Sequence, residues 1–519
     1  MNTPVVSPQR RAFAWLLSSA PLAAVALAQP ATPPASSVSD EIVQLSVFEI
    51  SAAQVGRYQA EESASGGRIR VNLMDTPATV SVLTRDFIED VGSLRVLDAA
   101  KYVAGINEAT IPNALDRVNI RGFQSDGRRV DGFSWSDQAN YDTAGIERME
   151  VIKGPDALLQ PTGVPGGTIN LVTKRPKFTR SGSLTVQAGQ YDANRVELDT
   201  TGPLGASKTL AYRFVTSLHD SDGYSREVFR KSFFAAPSLT WRVTPKSQLT
   251  LRYEYYNFNT TVLEGLLVDP SVGSHDPLRL VSWIPLDFNP ALGSGYQFRR
   301  VESHTGTLLF TSAISDRLSV RVAARYSEDA TPDSGFGWGP NTQGGSRDPL
   351  TGLWVGGLIY SSTAPYAAAT APVLSRTFNH TGSNSIQHLR YRDLQNDWAY
   401  TAGNDFVNTT TSAGFSYGFE HQNQDGFVLT ARPFNVDTFT ADTAAPIVGA
   451  QNNARRRELS RTQFYLTEKA EFLKGRLILS AGASHLSFNG YFGSKISTAA
   501  QTGIAGRMFE GSGSESTLN

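Results

Sequence analysis

The sequence predicts a mainly β chain, with a short α+β unit ahead of a transmembrane antiparallel β-barrel. The first observation is alternation with period two from Ser181 onward. Leu184, Val186 and Ala188 alternate with Ser183, Thr185 and Gln187; Leu210, Tyr212 and Phe214 with Ala211 and Arg213; Leu249, Leu251, Tyr253 and Tyr255 with Thr250, Arg252, Glu254 and Tyr256. Leu318, Val320 and Val322 alternate with Arg317, Ser319 and Arg321, and Ala413 to Phe419 repeats the pattern. In a soluble sandwich the apolar face would be core; in a membrane barrel it meets lipid and the charges line a wet lumen. The second observation is loop asymmetry. Tight turns at Thr244–Ser247, Ser315-Asp316 and Lys474-Gly475 are separated by long polar segments near residues 259–300, 328–387 and 422–460. Short turns on one side and long loops on the other are expected of an outer-membrane barrel, whereas a compact soluble domain rarely tolerates several such loops. The third is composition: 18 Tyr, 27 Phe and 7 Trp among abundant Ser, Thr, Gly and Asn suit an aromatic-girdled barrel with a polar interior, although they suit a soluble all-β protein equally.

Charge and rare residues exclude several functions. The 519 residues carry 47 basic and 48 acidic side chains for a formal charge of −1, which supplies no basic surface for a nucleic-acid partner. There is no cysteine, so disulfides, zinc–thiolate sites and Cys nucleophiles are absent. The seven histidines are scattered, with no HExxH-type pair, which argues against a metalloenzyme.

In chain order, Arg10 and Arg11 precede the apolar run 12–28, and Ala26-Leu27-Ala28 offers a small-residue cleavage site. Residues 1–28 read as a secretory signal peptide; a membrane anchor is the competing reading, weakened by the shortness of the run and by Pro21. No later stretch approaches about 18 consecutive apolar residues, so no transmembrane helix is expected. Residues 29–69 begin as a Pro/Ala/Ser-rich linker. Within them Asp40–Ile50 is a short β-prone strip, either the first strand of the α+β unit or a free strip available to a partner sheet edge. Asp86–Val91 and Val96–Val103 have helical spacing, and Gly105 is placed to end the second helix.

The most informative stretch is 145–176, GIERMEVIKGPDALLQPTGVPGGTINLVTKRP. Residues 147–152 and 168–173 alternate as strands, and Gly163, Pro165, Gly166 and Gly167 force turns between them. ERMEVIKGPDALL followed by PGGTINLVTKRP resembles the plug domain of TonB-dependent outer-membrane receptors of the ferric-siderophore type. Asp75–Thr84 resembles that family's first plug strand, Leu97–Ile106 its helix and turn, and Asn119–Phe123 with Val130-Asp131-Gly132 its central strands. One departure is Gln160-Pro161, where family members usually carry Tyr-Gly.

The resemblance implies an N-terminal α+β plug (70–176) inside the barrel (181–519), in a protein of the bacterial outer membrane. It implies a TonB box near 41–50, centred on Glu41, Ile42, Val43, Gln44 and Leu45, that would pair with the periplasmic TonB protein by β-augmentation. Charged residues on plug strands, Arg121, Glu147, Arg148, Glu150 and Arg175, would contact the barrel wall. Two plug loops, 107–117 and 133–141, would face outward and floor the ligand site. Trp135 and Tyr141 suit stacking on a planar chelate and Arg128 and Arg129 suit an anionic ferric complex. The implied activity is TonB-dependent uptake of a ferric-siderophore-like chelate. No catalysis is implied, and no cofactor beyond iron carried inside the chelate. Other readings are a receptor of the same fold for an oligosaccharide or corrinoid, a non-transporting fragment, and a secreted β-rich enzyme or adhesin. The count after the plug is about twelve strands, against the 22 of barrels that enclose a plug. Residues 511–519 read as a polar, flexible tail. The barrel is therefore expected to be truncated at its C-terminal side, which would leave open strand edges in lipid.

Overall fold

The structure is a computed structural model. It describes residues 48, 54–63, 70–75, 79–108, 117–125, 128–135, 140–154, 166–223, 228–261, 298–338, 346–347, 354–355, 377–378, 380–430, 434–435, 447–473, 475–494 and 508–518. The expected signal peptide, residues 1–28, and the residues of the expected TonB box, Glu41–Leu45, lie outside these. All described residues fall within one compact unit, Gln44–Asn519.

The N-terminal domain is built on a five-stranded sheet. Its strands are β1 (Thr79–Thr84), β2 (Arg128–Val130), β3 (Phe133–Ser134), β4 (Ile146–Lys153) and β5 (Gly167–Thr173), in the order β3-β2-β5-β4-β1. β4 runs antiparallel to both neighbours, and β5 is parallel to β2. The alternation of β4 predicts a half-buried strand, but Met149 to Ile152 are all buried: Met149 and Val151 join the main apolar core, while Glu150 on the opposite face is buried beside Arg148. Helices α1 (Arg85–Asp90) and α2 (Val96–Ala100) follow β1. Thr84 caps α1 by accepting from the Phe87 amide at 3.3 Å. α2 stops at Ala100, before Gly105, which instead carries the chain through a positive φ of 83° into the strand Ile106–Glu108.

Two tight hairpins shape the domain's loops. Asp131 and Gly132 link β2 to β3 with φ of 51° and 81°, the sign pair of a type I′ turn. Arg121 and Gly122 do the same between Val118–Ile120 and Phe123–Ser125. At the entry to β5 the backbones approach closely. A Cβ on Gly166 would lie 2.1 Å from the Ile120 carbonyl oxygen, and one on Gly167, at φ +133°, 2.1 Å from that of Ile152.

The largest sheet among the described residues has twelve antiparallel strands in strict sequence order. Its strands are β6 (Ser181–Ala188), β7 (Asn194–Leu204), β8 (Leu210–Asp222), β9 (Phe229–Thr244), β10 (Ser247–Thr260), β11 (Phe298–Ala313), β12 (Leu318–Trp338), β13 (His380–Gly403), β14 (Val407–Thr430), β15 (Ile447–Phe472), β16 (Leu477–Ser494) and β17 (Met508–Leu518). The predicted tight turns at 244–247 and 315–316 join neighbouring strands, and Lys246 Nζ pairs with Asp316 across them at 2.7 Å; of the third, Gly475 lies between β15 and β16, and Lys474 is outside the described residues. The strand count matches the sequence reading. Two other expectations are corrected. Residues 511–518 are not a free tail, since Met508–Leu518 pairs with β16 from Gly493↔Met508 to Ala483↔Leu518. The segment 422–460 is more than half strand, because β14 runs to Thr430 and β15 starts at Ile447, and β12 and β13 extend into the two ends of 328–387. Above the lipid zone both faces of a strand are wet, so the apolar alternation fades while the hydrogen-bonded ladder continues.

Alternation along the wall sorts the side chains by face. On β10, Leu251 and Tyr253 are exposed outside, while Glu254, Tyr256 and Phe258 are buried inside. Trp241, Trp398 and Tyr400, near the short-turn end, also face out, as an aromatic girdle requires.

The two glycines before β5 generate a test. Gly167→Ala should cost the plug about 1–3 kcal/mol from the disallowed backbone alone. Hydrogen exchange should accelerate in β4 and β5 while the heat-dependent gel mobility of the barrel stays unchanged.

Candidate functional site

Alternate positions on β7 and β8 turn Arg195, Glu197, Asp199 and Arg213 toward the lumen, and the plug meets them with charges of its own. Asp142 sits at the junction leading into β4. Its carboxylate accepts from Arg195 Nη2 at 2.6 Å, Arg195 Nη1 at 3.2 Å, Ser217 Oγ at 2.9 Å and the Ala144 amide at 2.8 Å. Burial alone would raise the Asp142 carboxyl; the Arg195 guanidinium and these hydrogen bonds outweigh it and hold it below its ordinary value. At the end of β5, Lys174 Nζ lies 2.7 Å from Asp199, which also receives Arg213 at 2.8 and 2.7 Å. Arg213 reaches the plug directly, donating to the Arg175 carbonyl at 3.0 Å and to Glu147 at 3.3 Å. Burial pushes the Glu147 carboxyl up, but Arg213, Lys177 and Lys174 win and lower it. From α1, Arg85 donates to Glu197 at 2.6 Å and to the Thr143 carbonyl at 2.7 Å, bridging wall and plug.

A second contact is aromatic. Trp135 and Tyr141 meet edge-to-face at 5.3 Å, Tyr141 and Phe234 at 6.1 Å, Phe234 and Tyr256 at 6.3 Å, and Tyr256 stacks on Phe258 at 6.1 Å. The ladder crosses from plug to wall at Tyr141–Phe234. Tyr141 donates its hydroxyl to Glu254 and accepts from Arg252 Nη2 at 3.2 Å, and Arg252 pairs with Glu254. Close approach here depends on Gly145, since a Cβ at that position would lie 2.7 Å from Phe234 Cζ. Beside it Arg325 lies over the Phe133 ring at 5.1 Å, and Gln395 donates to the Gly132 carbonyl at 3.3 Å.

The sequence-predicted residues divide accordingly. Glu147, and Arg175 through its carbonyl, touch the wall. Arg148 and Glu150 pair with each other at 2.8 Å inside the plug, where burial raises the Glu150 carboxyl against the pull of Arg148. Arg121 is exposed on its hairpin turn. Trp135 and Tyr141, expected on an outward loop, are buried in the aromatic ladder instead, because the barrel supplies an apolar seat for the rings and a carboxylate for the phenol. Arg128 is buried and Arg129 half-buried on β2, within the plug sheet. Sequence reasoning missed Arg85, Asp142 and Lys174 on the plug, and Arg195, Glu197, Asp199, Arg252 and Glu254 on the wall. The charge stripe Arg195, Glu197, Asp199 at every second residue was visible, but its partners were not.

Residues 72–168 match the family model described as the TonB-dependent Receptor Plug Domain. The metal-pseudopaline receptor CntO of Pseudomonas aeruginosa is 32% identical over 201 residues, 38% of this chain and 28% of that one. The ferrichrome outer membrane transporter/phage receptor of Escherichia coli is 25% identical over 291 residues, 54% of this chain and 38% of that one. Among solved structures, the siderophore receptor PiuA of Acinetobacter baumannii superposes with a TM-score of 0.71 at 20% identity, covering 89% of this chain and 64% of that one. The chain thus spans well under half the length of these two curated relatives.

The buried pair supports two tests. Arg195→Met leaves the Asp142 carboxylate buried without its cation and should weaken plug seating by about 3–5 kcal/mol. Adding Asp142→Asn should recover part of that loss, read from urea-dependent hydrogen exchange of the plug. The pH dependence follows from the direction of the shift. A folded value below the ordinary 3.8 means that ionised Asp142 stabilises fully above 3.8, and that this contribution is lost as pH falls through the lower folded value. Plug protection should therefore drop below about pH 4, and that component should be missing in Asp142→Asn.

Proposed function

We propose that this chain, a TonB-dependent outer-membrane receptor of the ferric-siderophore type in its plug and barrel, serves the energised uptake of a ferric-siderophore-like chelate. The observation that carries this reading is a plug seated against the wall largely by charged pairs. Such a contact holds one position, yet it can be exchanged for water when the plug is displaced. An apolar core of the same area would resist opening much more strongly.

The path for displacement starts in the described N-terminal residues. The hairpin of Gln54–Gly56 and Gln59–Ala60 leads to the start of α1, where Thr84 Oγ1 donates to the Arg57 carbonyl at 2.7 Å and Arg57 pairs with Asp90 at 2.9 Å. Tyr58 adds a hydroxyl bond to Asp90 at 2.5 Å and packs edge-to-face on Phe87. A pull on residues 41–45 by the periplasmic TonB protein reaches β1 and α1 first. The next link is Arg85, whose bond to Glu197 anchors the plug to β7. Iron travels only inside the bound chelate, and no covalent chemistry is needed. Ligand selection falls to the outward ends of plug and wall, with half-buried Arg129 as the plug's candidate contributor; Trp135 and Tyr141, buried in the ladder, act in holding the plug.

Deleting residues 41–45 should abolish uptake of iron-loaded siderophores into cells while leaving surface binding intact. Uptake that survives the deletion would refute energy coupling through this strip. In competition binding, ferric chelates should displace one another. Displacement by oligosaccharides or corrinoids, with chelates inert, would reassign the substrate.

A further inference from the structure

The outer wall carries a feature that transport does not use. A groove of about 900 Å³ crosses the outward face of β8 to β14. Its floor is made of small residues, Pro237 on β9, Gly306 on β11 and Ala324 on β12. Its sides are Leu239, Leu251, Tyr253, Leu308, Tyr326 and Leu394. The dip has a local cause. Pro237 has no amide hydrogen for the ladder, and Ala236 and Pro237 fall between the partner pairs Ala235↔Tyr255 and Ser238↔Arg252. Two strands on, opposite Tyr253 of β10, a Cβ at Gly306 would meet nothing within 4 Å, so the wall lacks side-chain volume there too.

One outward-facing cation borders this groove. Arg392 is exposed on the outward face of β13, between its cross-strand neighbours Tyr326 and Phe419. Other outward charges near it are matched: Arg390 pairs with Glu328 at 2.8 Å, and His421 with Glu458 at 3.1 Å. Among the described residues no carboxylate lies within ion-pair distance of Arg392.

We propose that this groove is a binding site for an anionic membrane lipid, whose acyl chain fills the trough over Gly306 while its headgroup phosphate is held by Arg392. Lipid is the occupant because this face meets the bilayer. The hydrophobic effect does not select the site, since a lipid tail is as apolar as the groove. Filling the trough restores dispersion contacts that a void would forfeit. Selection between lipids comes from the guanidinium, which matches a phosphate with a forked pair of donors and lies where a snorkelling side chain reaches the polar boundary.

The test is native mass spectrometry of the full-length protein purified from outer membranes, with phosphatidylglycerol or phosphatidylcholine added back in detergent. The unmodified protein should retain phosphatidylglycerol over phosphatidylcholine by about ten-fold, the scale of one charged contact. Arg392→Gln should abolish that preference and Arg392→Lys should keep most of it. Gly306→Phe fills the trough from outside and should remove retention of both lipids; Ala324→Leu is the milder version should the first fail to assemble, as judged by heat-dependent gel mobility. An unchanged lipid ratio in Arg392→Gln would overturn the headgroup assignment. Undiminished retention in the filled variants would overturn the groove, as would competition by inorganic phosphate alone.

Discussion

Strands that cross a bilayer have to satisfy every backbone amide and carbonyl within the sheet, because hydrocarbon offers no partner. The side chains then have two faces to divide between. Apolar ones turn to lipid, and whatever is charged on the same strand turns inward. On β7 this places Arg195, Glu197 and Asp199 in a row on the lumen side. A row of charges behind a low-dielectric wall needs partners, and the plug brings Asp142, Arg85 and Lys174 to it. The plug's position is in this sense a consequence of the wall's membrane face.

The contact is as informative for what it lacks. Apolar burial between plug and wall is concentrated in the aromatic ladder through Tyr141 and Phe234, and even there the phenol ends on Glu254. Buried ion pairs add little net stability, because desolvation offsets most of their attraction, but removing one partner is strongly unfavourable. They therefore specify a single seat without making it hard to leave once water is admitted to both sides. Arg85 has the most connected place, since it touches Glu89 on its own helix, carbonyls of the segment leading into β4, and Glu197 on the wall. A load on α1 is delivered to wall and plug interior at the same residue.

Much of the architecture was legible beforehand for reasons of local physics. Alternation with period two located the wall strands, and glycine–proline chemistry located the turns. Legibility failed at the upper parts of β12 to β15, where polar residues occupy both faces and no period remains to be read. It failed again at 511–518, whose Gly/Ser/Glu composition carries no strand signal, although β16 offers an edge for it to pair with. Trp135 and Tyr141 were recognised as special, but their direction was not. An amphipathic ring serves equally to stack on a ligand or to bury against a wall.

The sequence by itself determined the period, hence the lipid face, the strand order and the family resemblance of the plug, because these depend on neighbours within a few residues. The tertiary structure decided which charge meets which: Arg195 with Asp142 across 53 positions, Lys174 with Asp199, and Arg148 with Glu150 inside the plug rather than with the wall. It also decided that Pro237, Gly306 and Ala324 line one groove. Pairings of this kind depend on register between segments far apart in the chain, and charge alone does not encode register.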